Sequence, residues 1–524
     1  MPNNTNILKW YPFKENSNLL EIYNENSIME KLEKNINIEK CSITKLKLEG
    51  EYDYITLIGT YEYAPTIYEG NKPYSDFLKD LKKHLKPDGK ILLAIDNRLG
   101  IKYFAGAKNK HYNKLFEVVE SEVRQKKPNL LLKRELEKFI NEAEFKNYKF
   151  YYPVPDYFNT NTIFTEDFLP KSNHSKIVYP VNYDEESIII FNEINVMKQI
   201  CDNNKFADFT NSYLVEISNE EINNDIKFIN YNIFRKDKYK LALIMGKENV
   251  QKHAETQKAK KHIENISKYI ENLEHLGFKV LEKVEKDKII SKIANSEELD
   301  KKIVSKIKEE NIEEAYREIE NWYSYIKQRL QKEVAKGENV FEKYKIEIPK
   351  DIKEKMEFVK NGYIDLSFEN VFCEDEYVFY DQEWYFENVP LEFILYRAIN
   401  NLYNYNVSKI EQKLNKENML EKFNLTIFTP YFEKLESKIQ KEILDEETVN
   451  KYRNRLSKYN VNLQELNTDN KELTKQFLIL KEQNEKLAKE KEEIENEYNI
   501  LLNEYNTSRA WKVIKGFRSF LGRK

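Results

Sequence analysis

The stretch Asn361-Gly-Tyr-Ile-Asp-Leu-Ser-Phe-Glu-Asn-Val-Phe372 places an acid, Asp365, and an amide, Asn370, five residues apart among apolar side chains. A strand-like run follows, and it ends at a second acid, Asp381, within Tyr377-Val-Phe-Tyr-Asp-Gln-Glu-Trp384. This alternation of apolar and polar residues predicts a loop that continues into a β-hairpin. An acid and an amide at this spacing are common, so the interpretation depends on the flanking apolar strands and on the second acid.

The residues before this stretch predict a small lobe made of a sheet and a helix. The strand patterns and the helix that follows them occupy residues 185–191, 213–217, 240–245 and 262–276. Residues 295–350 are charged and helical in pattern, and residues 390–440 are helical again. Together these segments predict an α+β domain with two lobes, from about residue 186 to residue 445.

Residues 361–384 resemble the catalytic and metal-binding segments of phosphotransferases of the aminoglycoside-kinase and choline-kinase type. In kinase-like enzymes one carboxylate orients the acceptor hydroxyl, while an amide and a second carboxylate hold the metal that bridges the phosphates. The resemblance implies that Asp365 is the catalytic base and that Asn370 and Asp381 are metal ligands. It also implies ATP and Mg²⁺ as cofactors.

These enzymes pair the phosphates with a lysine from the sheet of the small lobe. The segment Val250-Gln-Lys252 resembles the strand that carries this lysine, which implies Lys252 as a cofactor-binding residue. Glu264 is the nearest helical acid that could orient it. Three features depart from the family pattern. Tyr363 replaces the usual His, Gln382 follows Asp381 where the family has Gly, and residues 234–239, in the expected phosphate hairpin, contain no glycine.

The N-terminal part of the chain alternates between short apolar strands and helix-like segments. The predicted elements occupy residues 18–22, 27–34, 52–59, 74–84, 91–95, 131–142 and 148–155. Strands that alternate with helices predict a parallel sheet of the α/β class. We therefore expect a separate α/β domain over residues 1–175.

Several motifs of this part occur together. They are Trp10-Tyr-Pro-Phe13, Leu19-Leu-Glu-Ile22, Tyr52-Asp-Tyr-Ile-Thr-Leu-Ile-Gly59, Asp96-Asn-Arg-Leu-Gly-Ile-Lys-Tyr-Phe-Ala-Gly106 and Tyr151-Tyr-Pro-Val-Pro-Asp-Tyr157. With them, residues 7–170 resemble class I S-adenosylmethionine-dependent methyltransferases, in particular a bacterial branch found with cell-surface glycan genes. The resemblance implies a Rossmann-like fold and S-adenosylmethionine as cofactor, with Glu21, Gly59 and Glu62 lining the cofactor site.

The cofactor loop of that family has an acid followed by alternating glycines, which let the backbone approach the ligand. Here Glu21 supplies the acid, but Tyr23, Glu25 and Ser27 occupy the glycine positions. The chain between Glu21 and Tyr52 is also short, so we expect that one βα unit is missing, with the acid that would hold the ribose. The loop therefore predicts a methyltransferase-like scaffold with a degenerate site, and an active methyltransferase remains the alternative.

Residues 456–505 carry a heptad repeat without Gly or Pro. One seam holds Leu466, Leu473, Leu480, Leu487, Ile494 and Leu501, and the other holds Asn470, Phe477, Asn484, Lys491, Tyr498 and Tyr505. This period predicts a coiled coil, and the two Asn on the seam favour a parallel homodimer. Residues 506–524 are basic and aromatic. We expect this tail to lie on an anionic membrane surface, and the alternatives are a frayed helix end or a tail that docks on a partner, such as a glycan-assembly enzyme.

Composition limits the location and the partners. The chain has 524 residues and a formal net charge of -4, which gives no sign of nucleic-acid binding. Its three cysteines show no metal-ligand spacing and suit a reducing cytosol. No signal peptide opens the sequence, and no uncharged run reaches the ~18 residues that cross a bilayer. We expect a cytoplasmic protein, with any membrane association peripheral and at the inner face.

Three functions remain open from the sequence. The first is a phosphotransferase that acts on a sugar or glycan hydroxyl with ATP and a divalent metal. The second is a methyltransferase of the same biosynthetic setting. The third is a scaffold without catalysis, which dimerises through the coiled coil and organises glycan-assembly enzymes.

Overall fold

The structure is a computed structural model that describes residues 5–25, 27–32, 34–109, 111–112, 114–120, 126–171, 191, 193–294, 296–330, 337–457, 463–520 and 522. The chain divides into two compact units, one of Met1–Ser187 with Asn192–Tyr459 and one of Ile188–Phe191 with Asn460–Lys524. The strand that the sequence predicts over residues 185–191 lies outside the described residues, apart from Phe191.

Both strands and helices build the first unit. Its strands are β1 (Asn18–Tyr23), β2 (Asn37–Ser42), β3 (Tyr52–Ile58), β4 (Leu85–Asp96), β5 (Asn147–Val154), β6 (Thr162–Thr165), β7 (Ser212–Ser218), β8 (Phe228–Tyr231), β9 (Leu241–Met245), β10 (Asn249–Ala254), β11 (Lys279–Val280), β12 (Glu282–Glu285), β13 (Lys288–Lys292), β14 (Phe358–Tyr363), β15 (Val371–Cys373), β16 (Tyr377–Phe379) and β17 (Tyr385–Pro390). Its helices are α1 (Asn6–Lys9), α2 (Ala64–Ile67), α3 (Pro73–Lys83), α4 (Ile101–Phe104), α5 (Glu117–Glu120), α6 (Lys133–Glu142), α7 (Glu193–Asp202), α8 (Phe206–Phe209), α9 (Lys260–His275), α10 (Leu299–Lys308), α11 (Ile312–Arg329), α12 (Val340–Lys343), α13 (Lys350–Lys353), α14 (Leu391–Ile410), α15 (Lys416–Lys422), α16 (Thr429–Ile443) and α17 (Glu446–Ser457). The second unit contains α18 (Leu463–Thr507) and α19 (Arg509–Phe520).

A parallel sheet in the order β2-β1-β3-β4 forms the N-terminal part of the first unit. Successive residues of its inner strands, such as Ile91 and Leu92 in β4, are all buried, as expected where a parallel sheet is covered on both faces. Helix α3 begins at Pro73, which suits a first turn, and buries Phe77 and Leu81 on one stripe. The α/β class predicted for this part is therefore confirmed.

The structure differs from the sequence prediction between β1 and β3. Residues 27–34 are predicted as a helix, but the described residues there form only a 3-10 turn at Met29–Lys31. After this turn the chain makes β2, an edge strand that pairs with β1 in parallel. Polar residues interrupt this strand, Asn37-Ile-Glu-Lys-Cys-Ser42, so its apolar pattern is too weak to predict it.

Strand β7 lies between β4 and β5 and runs antiparallel to both. The sequence correctly predicts this strand but assigns it to the small lobe of the second domain. The predicted domain boundary near residue 186 therefore separates β7 from the N-terminal sheet to which this strand belongs. The buried carboxylate of Glu216 fixes β7 in place, because it accepts hydrogen bonds from Lys90 of β4 (2.6 Å) and Tyr151 of β5 (2.8 Å).

One continuous sheet of twelve strands runs through the first unit. Strand β6 pairs with β5 on one side and with β8 on the other, which joins the N-terminal sheet to the antiparallel strands β8-β9-β10-β13-β12. Helix α9 packs on these strands through Ile263, Ile266 and Ile270, with Leu241 and Ile289 from the sheet. The two parts that the sequence separates thus share one hydrogen-bonded ladder.

A helical part follows the antiparallel strands. Helices α10, α11, α14 and α16 surround the largest apolar core, in which Trp322 is fully buried. The antiparallel strands β14 and β17 contribute to this core, and a Cβ on Gly362 would collide with the side chain of Val389 and lie 2.8 Å from the backbone oxygen of Phe386. The sequence prediction of helices on both sides of the 361–384 loop and hairpin is confirmed.

Two helices form the described part of the second unit. Helix α18 spans 45 residues, and its seam residues Leu473, Leu480, Leu487, Ile494 and Leu501 are exposed in the single chain. Helix α19 has 12 residues and follows after Ser508. Within the described ranges no helix is both long and apolar enough to cross a membrane.

Candidate active site

Lys252 lies at the centre of a cluster of carboxylates in the first unit. It projects from β10, and its Nζ forms an ion pair with Asp381, the acid that follows β16. The same atom lies 3.1 Å from Glu383 Oε1 and 3.3 Å from Glu282 Oε1. The side chain of Arg235 forms a further ion pair with Glu383. Three acids and two bases from four separate segments therefore meet here.

The cluster keeps its lysine charged. Burial alone would lower the pKa of Lys252, but the attraction of Asp381, Glu282 and Glu383 outweighs burial and holds that pKa well above its usual value. Burial likewise opposes the ionisation of Glu383, yet Arg235 and Lys252 hold the pKa of Glu383 well below its usual value. These groups therefore stay ionised around neutral pH.

Asp381 differs from the other acids because 44% of its side chain is exposed. It has a positive φ of 58°, and the next residue, Gln382, donates its backbone N–H to Glu282 Oε2 at 3.3 Å. Burial of its surroundings and the nearby Glu383 and Glu282 raise the pKa of Asp381 to about 6, although Lys252 opposes this. Asp381 is thus the acid of the cluster that solvent and a ligand can reach.

Asp365 lies beside this cluster, in the loop after β14. Its Oδ2 accepts hydrogen bonds from the backbone N–H groups of Glu383 (3.0 Å) and Trp384 (2.9 Å), and its Oδ1 lies 3.5 Å from Arg397 Nη2. Burial raises the pKa of Asp365 to about 7, against the attraction of Arg397. Asn370 donates from its side-chain nitrogen to the backbone oxygen of Asp365 at 3.1 Å, which orders the loop between them.

The four predicted residues of this region therefore lie in one place. Lys252 and Asp381 form a direct ion pair, although they lie 129 positions apart in the sequence. Asp365 contacts the backbone two residues after Asp381, and Asn370 contacts Asp365. The backbone N–H bonds to Asp365 also fit the simpler interpretation of a buried acid satisfied at a turn.

The sequence prediction that Glu264 orients Lys252 is wrong. Glu264 is exposed on α9 and pairs with Lys261 at 2.8 Å. The helix instead presents His262, whose ring stacks on Trp384 with 4.8 Å between centroids and lies 3.7 Å from Glu383. The buried acids that pair with Lys252 are instead Glu282, which lies in β12, and Glu383, which lies in the segment after β16.

Sequence reasoning missed Arg235, Glu282 and Glu383. Glu383 lies two residues after Asp381, and that proximity is the signal that could have found it. Arg235 comes from the connection between β8 and β9, where the family pattern would place glycines, and its guanidinium lies 5.5 Å from the Trp384 ring centre. Nothing in the local sequence of β12 marks Glu282.

The described residues contain no group of three or more His, Cys, Asp or Glu side chains arranged to hold a metal ion. Mg²⁺ at a phosphate site commonly takes only one or two protein carboxylates and completes its shell with phosphates and water. The exposed carboxylate of Asp381 and the amide oxygen of Asn370 are suitable oxygen ligands. With three acids against Lys252 and Arg235, the cluster has an excess negative charge, which favours a divalent cation.

The second predicted site lies at the carboxyl ends of β1 and β3. Glu21 is buried, and one oxygen of its carboxylate accepts the backbone N–H groups of Ile28 (2.7 Å) and Met29 (3.1 Å). Its other oxygen accepts the hydroxyl of Ser27. The acid therefore binds the loop that follows it, and Ser27 of this loop is one of the residues at the expected glycine positions.

Gly59 and Glu62 lie near Glu21 but face other partners. Gly59 has a φ of 68°, and a Cβ there would lie 2.5 Å from the Tyr157 hydroxyl, so the tyrosine covers this glycine. Glu62 is buried, with His111 Nε2 2.7 Å from its Oε1. The three predicted residues come from the neighbouring strand β1 and the turn after β3, and Tyr157 fills the space above Gly59.

A third group of charges is buried at the same edge of the sheet. Lys102 lies 3.0 Å from Asp96 and 3.1 Å from Asp156, and the Tyr103 hydroxyl donates to Asp96 at 2.8 Å. Burial alone would lower the pKa of Lys102, but the two carboxylates raise it, so the lysine stays charged. This group fastens α4 to β4 and to the turn after β5.

The parallel strands β2-β1-β3-β4, with ligand-type residues at their carboxyl ends, define a Rossmann-like α/β fold in this part of the chain. The sequence matches no protein-family profile and no curated protein sequence. Solved structures that are similar are S-adenosylmethionine-dependent methyltransferases. One from Archaeoglobus fulgidus is 12% identical over 41% of this chain and 91% of its own, with a TM-score of 0.23.

Two further solved methyltransferases are similar over part of this chain. One from Thermotoga maritima, described as a possible histamine N-methyltransferase, is 12% identical over 41% of this chain and 87% of its own, with a TM-score of 0.22. One from Burkholderia thailandensis, solved with S-adenosylhomocysteine bound, is 11% identical over 26% of this chain and 64% of its own, with a TM-score of 0.17.

Proposed function

We propose that Lys252, Asp365, Asn370 and Asp381 form the site of a kinase-like phosphotransferase, which uses ATP and Mg²⁺ to phosphorylate a hydroxyl group. The observation that carries this proposal is the contact between Lys252 and Asp381 beside Asp365. Lys252 lies on the third strand of the series β8-β9-β10, and α9 follows that strand. Kinase-like sites place their phosphate-binding lysine on the third strand, before a helix.

Each residue has a role that follows from its position. When bound, Mg²⁺-ATP would supply the phosphoryl group, and its metal ion would neutralise part of the phosphate charge. Lys252 would pair with phosphate oxygens, while Asp381 and Asn370 offer oxygen ligands to the metal. The Oδ2 atom of Asp365 is held by two backbone N–H groups, while Oδ1 has only the longer contact to Arg397 at 3.5 Å, so Oδ1 is the oxygen that would accept the proton of the acceptor hydroxyl. A carboxyl pKa of about 7 suits a general base near neutral pH.

The class of acceptor rests on the N-terminal motifs. Their resemblance to a branch that occurs with cell-surface glycan genes favours a sugar or glycan hydroxyl as the acceptor. A neutral hydroxyl also fits a site that already has an excess of acids, because an anionic acceptor would be repelled.

A calorimetric titration of the full chain tests this proposal. We expect a non-hydrolysable ATP analogue to bind in the presence of Mg²⁺ and to raise the melting temperature, because a ligand of the native state stabilises it by mass action. Removal of Mg²⁺ with a chelator should abolish most of this shift. Absence of nucleotide binding at millimolar concentration, with a folded protein, would exclude phosphotransfer.

Methyl transfer is the second candidate function, favoured by the Rossmann-like sheet and by Glu21 at the end of β1. The described residues argue against a normal cofactor site for two reasons. The carboxylate of Glu21 already accepts hydrogen bonds from Ser27, Ile28 and Met29, and Tyr157 covers Gly59. The same titration, performed with S-adenosylmethionine, separates the two functions. Micromolar affinity for S-adenosylmethionine would favour methyl transfer over a degenerate scaffold.

We further propose that α18 makes a parallel homodimer, whichever catalytic function the protein has. Its exposed leucine seam supports this, since an apolar stripe at heptad spacing is stable in water only when another helix covers it. A dimer would present two copies of the first unit and suits an assembly role among glycan enzymes.

Introducing acids into the seam should separate this dimer. We expect the Leu480→Asp, Leu487→Asp double variant to elute as a monomer in size-exclusion chromatography with light scattering, because buried aspartates lack partners in a coiled coil. The matched control is Lys475→Asp, Lys489→Asp, which places the same acids on the outer face of α18. A wild-type chain that is monomeric at high micromolar concentration would refute the dimer.

A further inference from the structure

Helix α19 separates its apolar and basic residues on two faces. At about 100° per residue, Ala510, Val513, Ile514 and Phe517 fall on one side of the helix. Lys512, Lys515 and Arg518 recur at every third position. Lys512 and Lys515 fall on the opposite side and Arg518 falls at the border between the two faces, and the helix contains no acidic residue. This arrangement belongs to amphipathic helices that lie at an interface.

The apolar face of α19 is exposed in the described part of the second unit. Val513 keeps 62% of its surface accessible and Phe517 keeps 67%. A helix of 12 residues measures about 18 Å, which is too short to cross the hydrocarbon layer of about 30 Å. The helix therefore suits a surface and not the interior of a bilayer.

The coiled-coil seam does not continue into α19. Counting on in sevens from Leu501 and Tyr505 places the next seam positions at Ser508, Lys512 and Lys515. A second copy in the same register would bring these lysines against each other, and like charges at a seam oppose pairing. Helix α19 is a separate helix after Ser508, and its apolar residues do not occupy the heptad positions that would continue the α18 seam.

We propose that α19 binds an anionic lipid bilayer, with its apolar face in the headgroup region and its basic face toward the phosphates. The charge is complementary, since the helix has four basic residues, Arg509, Lys512, Lys515 and Arg518. Each basic residue near an anionic surface strengthens binding, and the apolar side chains add burial in the acyl boundary. The proposal is independent of the phosphotransferase site.

Sedimentation of the full chain with lipid vesicles tests the basic face. We expect binding to vesicles that contain phosphatidylglycerol, little binding to phosphatidylcholine alone, and weaker binding at high salt. The Lys512→Glu, Lys515→Glu variant should lose binding by about thirtyfold or more. The Lys475→Glu, Lys489→Glu variant has the same change in net charge, lies on α18, and should bind like the wild type.

Substitution of the apolar face completes the test. The Val513→Ser, Phe517→Ser variant keeps all basic residues and should also lose most of its binding to anionic vesicles. Failure of the wild-type chain to bind these vesicles would overturn the proposal, as would equal losses in both pairs of lysine variants. If the serine variant binds vesicles normally but changes the mass of the assembly, α19 docks on protein instead, and the proposal is wrong.

Discussion

The Asp381→Asn variant is expected to lose Mg²⁺-dependent binding of an ATP analogue by about a hundredfold or more. Asp381 is the exposed acid of the Lys252 cluster, so it is the carboxylate that a metal can reach. An amide keeps the shape of the side chain but removes the charge that Mg²⁺ requires. A hundredfold loss corresponds to about 2.7 kcal/mol, which isothermal titration calorimetry resolves easily.

Asp375 provides the matched control for this experiment. It is an exposed acid in the turn between β15 and β16, so Asp375→Asn makes the same chemical change in the same hairpin. This control should bind the nucleotide like the wild type. Equal affinity of the Asp381→Asn variant and the wild type would remove Asp381 from the metal site and, with it, the main support for phosphotransfer.

Replacing Lys252 with Met should destabilise the first unit by about 3–5 kcal/mol, because it leaves buried carboxylates without their cation. Glu282 and Glu383 are only 3% and 5% exposed, and Lys252 contacts both. Urea denaturation followed by circular dichroism measures the loss. This effect does not depend on any ligand, so it tests the geometry of the cluster separately from its function.

Two further variants show whether uncompensated charge causes the loss of stability in the Lys252→Met variant. Lys283→Met removes an exposed lysine from the same strand as Glu282 and should change stability little. Adding Glu282→Gln to Lys252→Met removes one uncompensated acid, so the double variant should be more stable than Lys252→Met alone. If the double variant is instead the less stable, loss of packing and not of charge explains the result.

The proximity of three candidate residues was predictable because they are close in the sequence. Asp365, Asn370 and Asp381 lie within one loop and hairpin, whose apolar strands fix their relative positions. The partners of Lys252 were less predictable, since the acid that reaches a lysine depends on how a helix is rotated. Helix α9 turns His262 inward and Glu264 outward, and both positions have the same helical pattern in the sequence.

Strands with a strong apolar pattern were predictable from the sequence. The order in which the strands pair in the sheet was less predictable. The strands β1, β3 and β5 and the second half of β4 carry apolar runs and lie where the sequence predicts them, whereas β4 begins at Leu85, before the predicted residues 91–95. The edge strand β2 is polar, and β7 has a clear strand pattern but no signal for its neighbours. Periodicity identifies a strand and its buried faces, while the choice of partner strands is a tertiary property.

The position of β7 has a consequence for synthesis of the chain. The N-terminal sheet remains split between β4 and β5 until the ribosome has made residues 212–218, long after both flanking strands have emerged. Non-local closure of this kind is slow, and the open edges of β4 and β5 would meanwhile attract other strands. Because Glu216 accepts hydrogen bonds from Lys90 of β4 and from Tyr151 of β5, this acid gains both partners only when β7 has paired with its two neighbours.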